Sequence, residues 1–208
     1  MSIWGERRNR ISDTKMLDRL PRELKIGEEP FRGAGPVLKL LDYWRWSGSN
    51  LMDNTTRGML AEFLVATALG LHETPRIVEW ESYDLQTPCG TTVEVKSAAA
   101  IQSWKQRGPS PIEFDIAPKW RWDEETGQYS DQARRWADLY VFCVLCGADP
   151  LNVDKWEFYI LQSAVLNDAC PKQQRIRLNP LRKLSPRPLL CCYRDLKRAI
   201  EEVSDTSR

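Results

Sequence analysis

Two runs of nearly continuous apolar residues lie in the second half of the chain, at 139–145 and 156–161, separated by a loop that contains Gly-Ala-Asp-Pro. Strands that leave one face in water alternate polar and apolar residues, whereas runs without that alternation are typical of strands covered on both faces. The two runs therefore predict central strands of a sheet that is flanked by helices.

Two further strands are predicted at 76–81 and 91–97, joined by a turn at 87–90 that contains proline and glycine. In the second of these strands, Glu94 and Lys96 alternate with valines. Successive side chains of a strand point to opposite faces. We therefore expect Glu94 and Lys96 to project together, and the valines to project the other way.

Residues 53–69 carry the signals of a helix, because the sequence Asp-Asn-Thr-Thr favours a helix start and Gly70 is a natural stop. Beyond its first turn this helix has one charged residue, Glu62. A helix that is apolar on all faces is expected to be buried, and an unpaired buried carboxylate is unfavourable. We expect Glu62 to pair with a base, Arg57 being the obvious candidate, or to face a polar cleft, and the two are compatible.

The remaining pattern predicts shorter elements around this core. They are a short helix at 38–46, a helix that begins within 97–106, a strand at 112–116, an irregular loop at 120–130, a short helix at 131–136, a helix at 163–167 and an amphipathic helix at 193–203. We expect residues 1–50 to be an N-terminal extension and residues 51–208 to be one domain, with a core at 54–161 and a C-terminal extension at 162–208.

Length and charge limit the functional classes. The 208 residues are enough for one domain with a full hydrophobic core plus terminal extensions. With 30 basic and 29 acidic residues the net charge is +1, so a DNA-binding face would have to be local. The sequence has no run of 18 or more apolar residues and no apolar signal-peptide core, which predicts a cytoplasmic protein without a membrane partner.

The cysteines and the single histidine argue against several kinds of site. The six cysteines are scattered in a chain without an export signal, so reduced thiols are expected. Cys143 and Cys146 lie three apart on a predicted strand and face opposite sides, which is poor geometry for a shared zinc ion. His72 is the only histidine, which disfavours nucleases built on paired histidines and hydrolases of the Ser-His-Asp or Cys-His type.

The clearest candidate chemistry belongs to Glu62, Asp84, Glu94 and Lys96, which follow one another within 35 residues. Because Asp84 follows one predicted strand and Glu94 and Lys96 share a face of the next, two carboxylates and an amine are expected at one end of the sheet. Two or three carboxylates suffice to hold Mg²⁺, and a cation held in this way activates a water, most often to cut a phosphodiester. The alternative is a cross-strand ion pair at a half-buried sheet edge.

This order of elements and residues resembles the core of the PD-(D/E)XK nuclease superfamily, which includes many restriction endonucleases. The resemblance covers about residues 54–161, with the motif SYDLQTPCGTTVEVKSA and, upstream, RGMLAEFLVA. It implies an α/β fold with a restriction-endonuclease-like core of αβββαβ type, in which a central mixed sheet is flanked by helices. Tyr83 precedes Asp84 where the named form of the motif has proline, a position that varies among members.

The resemblance also implies roles for individual residues. Asp84 and Glu94 would hold Mg²⁺, with Mn²⁺ as an alternative ion, and Glu62 would be an auxiliary ligand or would orient a water. Lys96 would polarise the attacking water or stabilise charge on the phosphate. Gln102 matches, loosely, a polar residue that follows the motif in several families.

The function implied by the resemblance is that of a metal-dependent endonuclease that hydrolyses phosphodiester bonds of DNA, in restriction, phage defence or repair. A homodimer would suit the cutting of both strands of a duplex. RNA is an alternative substrate. The alternative from a different class is a non-catalytic member of the same fold that binds nucleic acid or a partner protein.

Residues outside the carboxylate group are candidates for contact with nucleic acid. Residues 171–190 carry six basic residues and no acid, which fits either a solvated surface or a phosphate-contacting stripe. Trp104, Trp120 and Trp122 flank the carboxylate group and either stack on bases or anchor the core. The residues expected to contact nucleic acid are Ser97, which would also orient Lys96, and Trp104, Lys105, Arg175, Arg177, Arg182 and Lys183.

Overall fold

The computed structural model describes residues 23–33, 38–76, 82–123 and 126–205. Within them the protein is an α/β fold with a central mixed sheet and flanking helices. The helices are α1 (Leu40–Gly48), α2 (Asn54–Ala68), α3 (Ser163–Ala169), α4 (Leu178–Leu181) and α5 (Leu196–Asp205). The strands are β1 (Leu85–Gln86), β2 (Thr92–Ala99), β3 (Glu113–Asp115), β4 (Trp122–Asp123), β5 (Gln128–Tyr129), β6 (Leu139–Leu145), β7 (Trp156–Gln162), β8 (Arg175–Arg177) and β9 (Leu189–Cys191).

The central sheet has the strand order β1-β2-β6-β7-β9 in the part of the chain that is described. β2 is parallel to β6, with Lys96 opposite Phe142, and the other neighbours are antiparallel. The strands expected at 91–97, 139–145 and 156–161 are confirmed as β2, β6 and β7. The strand expected at 76–81 lies outside the described residues, apart from Arg76.

The core occupies both faces of this sheet, as the continuous apolar runs predicted. One face, which includes Val95 and Val141, packs against α2 and α5. The other face includes Phe142 and is covered by α3, which contributes Leu166, and by the small sheet of β3 and β8. In β2 the valines lie on the first of these faces, and Glu94 and Lys96 lie on the second.

The boundaries of α2 confirm the start and stop signals of the sequence. Asp53 caps the helix, since its carboxylate accepts hydrogen bonds from the backbone N–H groups of Thr55 and Thr56. Gly70 ends it with a positive φ of 73°, a conformation that side chains with a Cβ rarely adopt. The expectation that the helix is buried on all faces is wrong, because only one side packs on β2 while Phe63 on the other side is 53% exposed.

Two of the short helices expected from the sequence are absent from the structure. After Ala99 the chain forms a loop, not a helix, and Gln106 closes this loop by hydrogen bonds to Ala100 O and Ser110 Oγ. Residues 131–136 form no helix either, because Arg134 pairs with the backbone of Lys119. The expected loop at 120–130 contains the hairpin of β4 and β5, and the strand expected at 112–116 is β3, which pairs with β8 outside the central sheet.

The other predicted helices are confirmed with small shifts at their ends. The helix expected at 38–46 is α1, and the helix expected at 163–167 is α3. The C-terminal helix expected at 193–203 is α5, which a short 3₁₀ turn at Tyr193–Asp195 precedes. No helix in the described ranges is long and apolar enough to cross a membrane.

Arg135 ties the segment between β3 and β6 to α3. Its side chain is buried, with 6% of the residue exposed. Its guanidinium donates hydrogen bonds to Ile116 O, Leu166 O, Asn167 Oδ1, Cys170 O and Gln173 O. The last carbonyls of a helix lack partners within it, so a cation at this end satisfies them.

We expect Arg135→Met to lower the free energy of unfolding by about 2 to 4 kcal/mol, because it leaves several buried acceptors without donors. Urea unfolding measures this change. The matched control is Arg187→Met at an exposed position, which should stay within about 0.5 kcal/mol of wild type. Equal losses in the two variants would contradict the role assigned to Arg135.

Candidate active site

Asp84, Glu94 and Lys96 meet around the short pairing of β1 and β2. Asp84 lies just before β1, where its N–H donates to Val93 O at 3.0 Å and its carboxylate accepts from the N–H of Val95 at 2.7 Å. Lys96 Nζ lies 2.5 Å from Glu94 Oε1, on the face opposite the valines. The projection of Glu94 and Lys96 to one face, expected from strand geometry, is therefore observed.

Glu94 is almost completely buried, with 4% of the residue exposed. It lies opposite Tyr140 of β6, and burial, followed by the charge of Glu94, raises the pKa of that phenol. A buried carboxylate is tolerated when donors surround it. Here the donors are two amines, those of Lys96 and Lys119.

Lys119 is the site residue that sequence reasoning missed. It follows β3, and its Nζ lies 2.8 Å from Glu94 Oε1. Its approach depends on backbone pairing with Arg134 and on the indole of Trp136, which donates to Lys119 O at 2.7 Å. The local sequence around Lys119 carries no signal of this placement, since the residues involved are far apart in the chain.

Burial and like charges both disfavour the ionised form of Asp84. Burial, followed by the negative charges of Glu94 and Glu62, raises the pKa of Asp84 from 3.8 to about 6. The hydrogen bond from the Val95 N–H and the charge of Lys96 oppose this shift without cancelling it. A cation bound between the carboxylates would relieve the repulsion, so the pair has the electrostatic character of a cation site.

Glu62 pairs with Arg76 and not with Arg57. The guanidinium of Arg76 donates two hydrogen bonds to the carboxylate of Glu62. Nε donates to Oε2, and Nη2 donates to Oε1 at 2.7 Å. The side chain of Glu62 is 12% exposed. The expectation of a basic partner is confirmed, but its identity was wrong, because Arg57 lies in the first turn of α2 and turns toward β2 instead.

Arg57 binds two of the predicted site residues, Ser97 and Gln102, away from the carboxylate group. Its Nε donates to Ser97 Oγ and its Nη1 to Gln102 Oε1, each at 3.3 Å. Ser97 lies next to Lys96 in the strand and therefore points to the opposite face. The structure thus groups Ser97 and Gln102 around a buried guanidinium and apart from the amine of Lys96.

The residues available to a metal ion are therefore Asp84 and Glu94. No three histidine, cysteine or acidic side chains converge into a metal-holding group within the described ranges, and Glu62 is engaged by Arg76. Two oxygen ligands fit Mg²⁺ or Mn²⁺, since Mg²⁺ keeps several waters and completes its shell with substrate phosphate. The donor set fits such an ion, although the two amines on Glu94 Oε1 compete with it for the negative charge of the carboxylate.

The predicted nucleic-acid contacts other than Ser97 lie at the surface, although several have partners. Arg175 and Arg177 flank Glu113 at 3.3 and 3.4 Å and are 73% and 67% exposed. Arg182 bonds to Glu157 and to the hydroxyl of Tyr159. Trp104, Lys105, Trp120 and Lys183 are exposed. This arrangement leaves both interpretations of the basic segment, solvated surface and phosphate-contacting stripe, compatible with its geometry.

No protein-family model matches this sequence, and a search of curated proteins finds no match either. A functional assignment therefore depends on the chemistry of Asp84, Glu94, Lys96 and Lys119.

We expect Asp84→Asn to stabilise the metal-free protein. A raised pKa means that the folded state binds the proton more tightly than the unfolded chain, so this contribution favours folding below the unfolded pKa of 3.8 and is lost as the pH rises through about 6. At about pH 7, with a chelator present, the free energy of unfolding of Asp84→Asn should be about 1 to 3 kcal/mol higher than that of wild type. This difference should become smaller as the pH is lowered to about 4.

Denaturant unfolding across this pH range measures the effect, with Asp154→Asn at an exposed carboxylate as the control. A difference between wild type and Asp84→Asn that does not change with pH would contradict the electrostatic strain at Asp84.

Proposed function

We propose that the protein is a divalent-metal-dependent nuclease that hydrolyses phosphodiester bonds of DNA. The observation that carries the proposal is the convergence of Asp84 and Glu94, a repelling carboxylate pair, with the amine of Lys96 at one end of the central sheet. Oxygen ligands beside a fixed ammonium suit phosphoryl chemistry, in which negative charge develops on the phosphate.

Each residue has a defined part in this proposal. Asp84 and Glu94 hold the ion, Mg²⁺ or Mn²⁺, and Glu62 adds to the negative potential at Asp84 while Arg76 keeps it in place. When bound, the ion lowers the pKa of a water and neutralises developing charge. Lys96 donates to the attacking water or to a phosphate oxygen from a side chain that β2 holds rigidly.

The fold supports the proposal in a general way. α2, the β1–β2 pairing, and then β6 and β7 follow one another along the chain, and the site lies where β1 and β2 pair. We assign these elements to a restriction-endonuclease-like core. The assignment is based on the order of elements and on the position of Asp84, Glu94 and Lys96 within them.

Exposed basic and aromatic side chains provide a surface to which a DNA substrate could bind. Trp104 and Lys105 project from the loop that continues β2 beyond the site, and Arg175 and Arg177 supply two cations for the one carboxylate of Glu113. Phosphate contacts by exposed cations and stacking on an exposed indole are the usual means of holding DNA without reading its sequence.

One observation favours a second candidate, a nucleic-acid-binding protein without catalysis. Glu94 is already held by the amines of Lys96 and Lys119. If both amines stay, their charges oppose the binding of a cation to Glu94, and the group remains a buried ion-pair network that fixes β2. Metal-dependent cleavage distinguishes the two candidates.

We expect Lys96→Ala to reduce metal-dependent cleavage of DNA by about 100-fold or more, because the variant loses a charge positioned at the reacting phosphate. Supercoiled plasmid and linear DNA, incubated with Mg²⁺, with Mn²⁺ and with chelator, measure the cleavage. The control is Lys197→Ala, whose side chain is 62% exposed on α5, and it should cut like wild type. Undiminished cutting by Lys96→Ala would refute the assigned role.

We expect the double variant Arg175→Gln and Arg177→Gln to bind duplex DNA more weakly and with less dependence on salt. Two lost phosphate contacts reduce the slope of log affinity against log salt by about 1.8. Titrations at several salt concentrations measure the slope. Arg194→Gln with Arg198→Gln removes the same charge from exposed positions near α5 and should leave the slope unchanged. Equal slopes in both double variants would assign Arg175 and Arg177 to solvent.

A further inference from the structure

Glu94 accepts hydrogen bonds from two amines on the same oxygen. Lys96 Nζ lies 2.5 Å from Oε1, and Lys119 Nζ lies 2.8 Å from it. A divalent cation that binds this oxygen needs the space and the lone pairs that the amines occupy. Two ammonium groups held against one carboxylate also repel a divalent cation, so the departure of one of them favours the binding of the cation to Glu94.

The two lysines differ in how freely they can leave. The side chain of Lys96 is 18% exposed and lies within a central strand, whereas the side chain of Lys119 is 50% exposed. An exposed ammonium regains water when it moves away, so its departure is the less unfavourable one. Lys119 is therefore the amine that a cation displaces.

The backbone of Lys119 stays in place when its side chain moves. Its N–H donates to Arg134 O at 2.9 Å, and its carbonyl accepts from the N–H of Arg134 at 3.0 Å and from the indole of Trp136 at 2.7 Å. The guanidinium of Arg134 stacks on the ring of Trp136, 3.7 Å from its centroid. Fixed at three points, Lys119 keeps its amine beside the site after it releases Glu94.

We propose that Lys119 is a displaceable cation, which neutralises Glu94 in the metal-free protein and binds a substrate phosphate once a divalent cation has taken its place. This inference depends on the proposed function, since it assumes a metal ion on Asp84 and Glu94. Burial lowers the pKa of the Lys119 amine, but the charge of Glu94, the hydrogen bond to Glu94 and the charge of Asp84 together raise it overall, so the group stays charged. The site then carries two lysines with separate tasks.

The test measures Mn²⁺ affinity without DNA, by calorimetry, in wild type, Lys119→Met, Lys119→Arg and the surface control Lys197→Met. Loss of a competing charge should make Lys119→Met bind Mn²⁺ about fivefold more tightly or better. Lys119→Arg keeps the charge and should bind Mn²⁺ like wild type, as should Lys197→Met. Melting temperatures of the four proteins show whether each is folded.

A second measurement follows the binding, with Mn²⁺, of duplex DNA whose phosphorothioate linkages resist cutting, in protein that keeps Lys96. Lys119→Met should weaken binding and reduce the salt slope by about 0.9, the effect of one phosphate contact. Lys119→Arg should retain the slope. A displaceable cation is indicated by opposite changes, namely tighter binding of Mn²⁺ and weaker binding of DNA. Loss of a structural residue would weaken the binding of both Mn²⁺ and DNA.

Unchanged or weaker Mn²⁺ binding by Lys119→Met would overturn the inference, as would an unchanged salt slope. The failure of the proposed function appears differently. If wild type does not cut DNA while Lys119→Met shows both opposite changes, the nuclease proposal fails and the role of Lys119 stands. If wild type cuts and Lys119→Met shows neither change, the nuclease proposal stands and the role of Lys119 fails.

Discussion

The buried carboxylate of Glu94 is the group on which the arrangement of the site depends. A carboxylate taken out of water is strongly unfavourable unless charged donors surround it. Lys96, two residues along the same strand, and Lys119, from the segment after β3, supply these donors. Because the backbone of Lys119 pairs with that of Arg134, the ion pair also links Glu94 to the segment that Arg135 anchors to α3.

Asp84 adds an opposing force to this balance. It is held against β2 by the Val95 N–H, where burial, followed by the charges of Glu94 and Glu62, raises its pKa to about 6. A protein selected for stability alone would have little use for such a residue, and groups of this kind concentrate where chemistry is done. The strain of the carboxylate pair and its relief by a cation are therefore two aspects of the same proposal.

The sequence was sufficient for the parts of the fold that depend on local pattern. The continuous apolar runs predicted β6 and β7, the capping residue and glycine predicted the ends of α2, and the two-residue period of strands placed Glu94 and Lys96 together. These features repeat within a few residues, so periodicity and capping chemistry report them directly.

The parts that the sequence did not predict depend on contacts between distant residues. Arg76 instead of Arg57 pairs with Glu62, Arg57 gathers Ser97 and Gln102, and Lys119 approaches Glu94 across 25 positions of sequence. The absent helix at 131–136 has the same cause, because backbone pairing of Arg134 with Lys119 overrides the local preference. The periodicity of a short sequence segment does not indicate which distant residue it will contact, so these pairings are visible only in the structure.

The most direct test of the central claim, that Asp84 and Glu94 share a divalent cation, is thermal unfolding of wild type and Asp84→Asn with increasing Mn²⁺ at neutral pH. An ion that binds only the folded protein raises the melting temperature as its concentration rises. We predict a concentration-dependent rise in wild type and little or none in Asp84→Asn. The same rise in both proteins, or none in wild type, would contradict the claim.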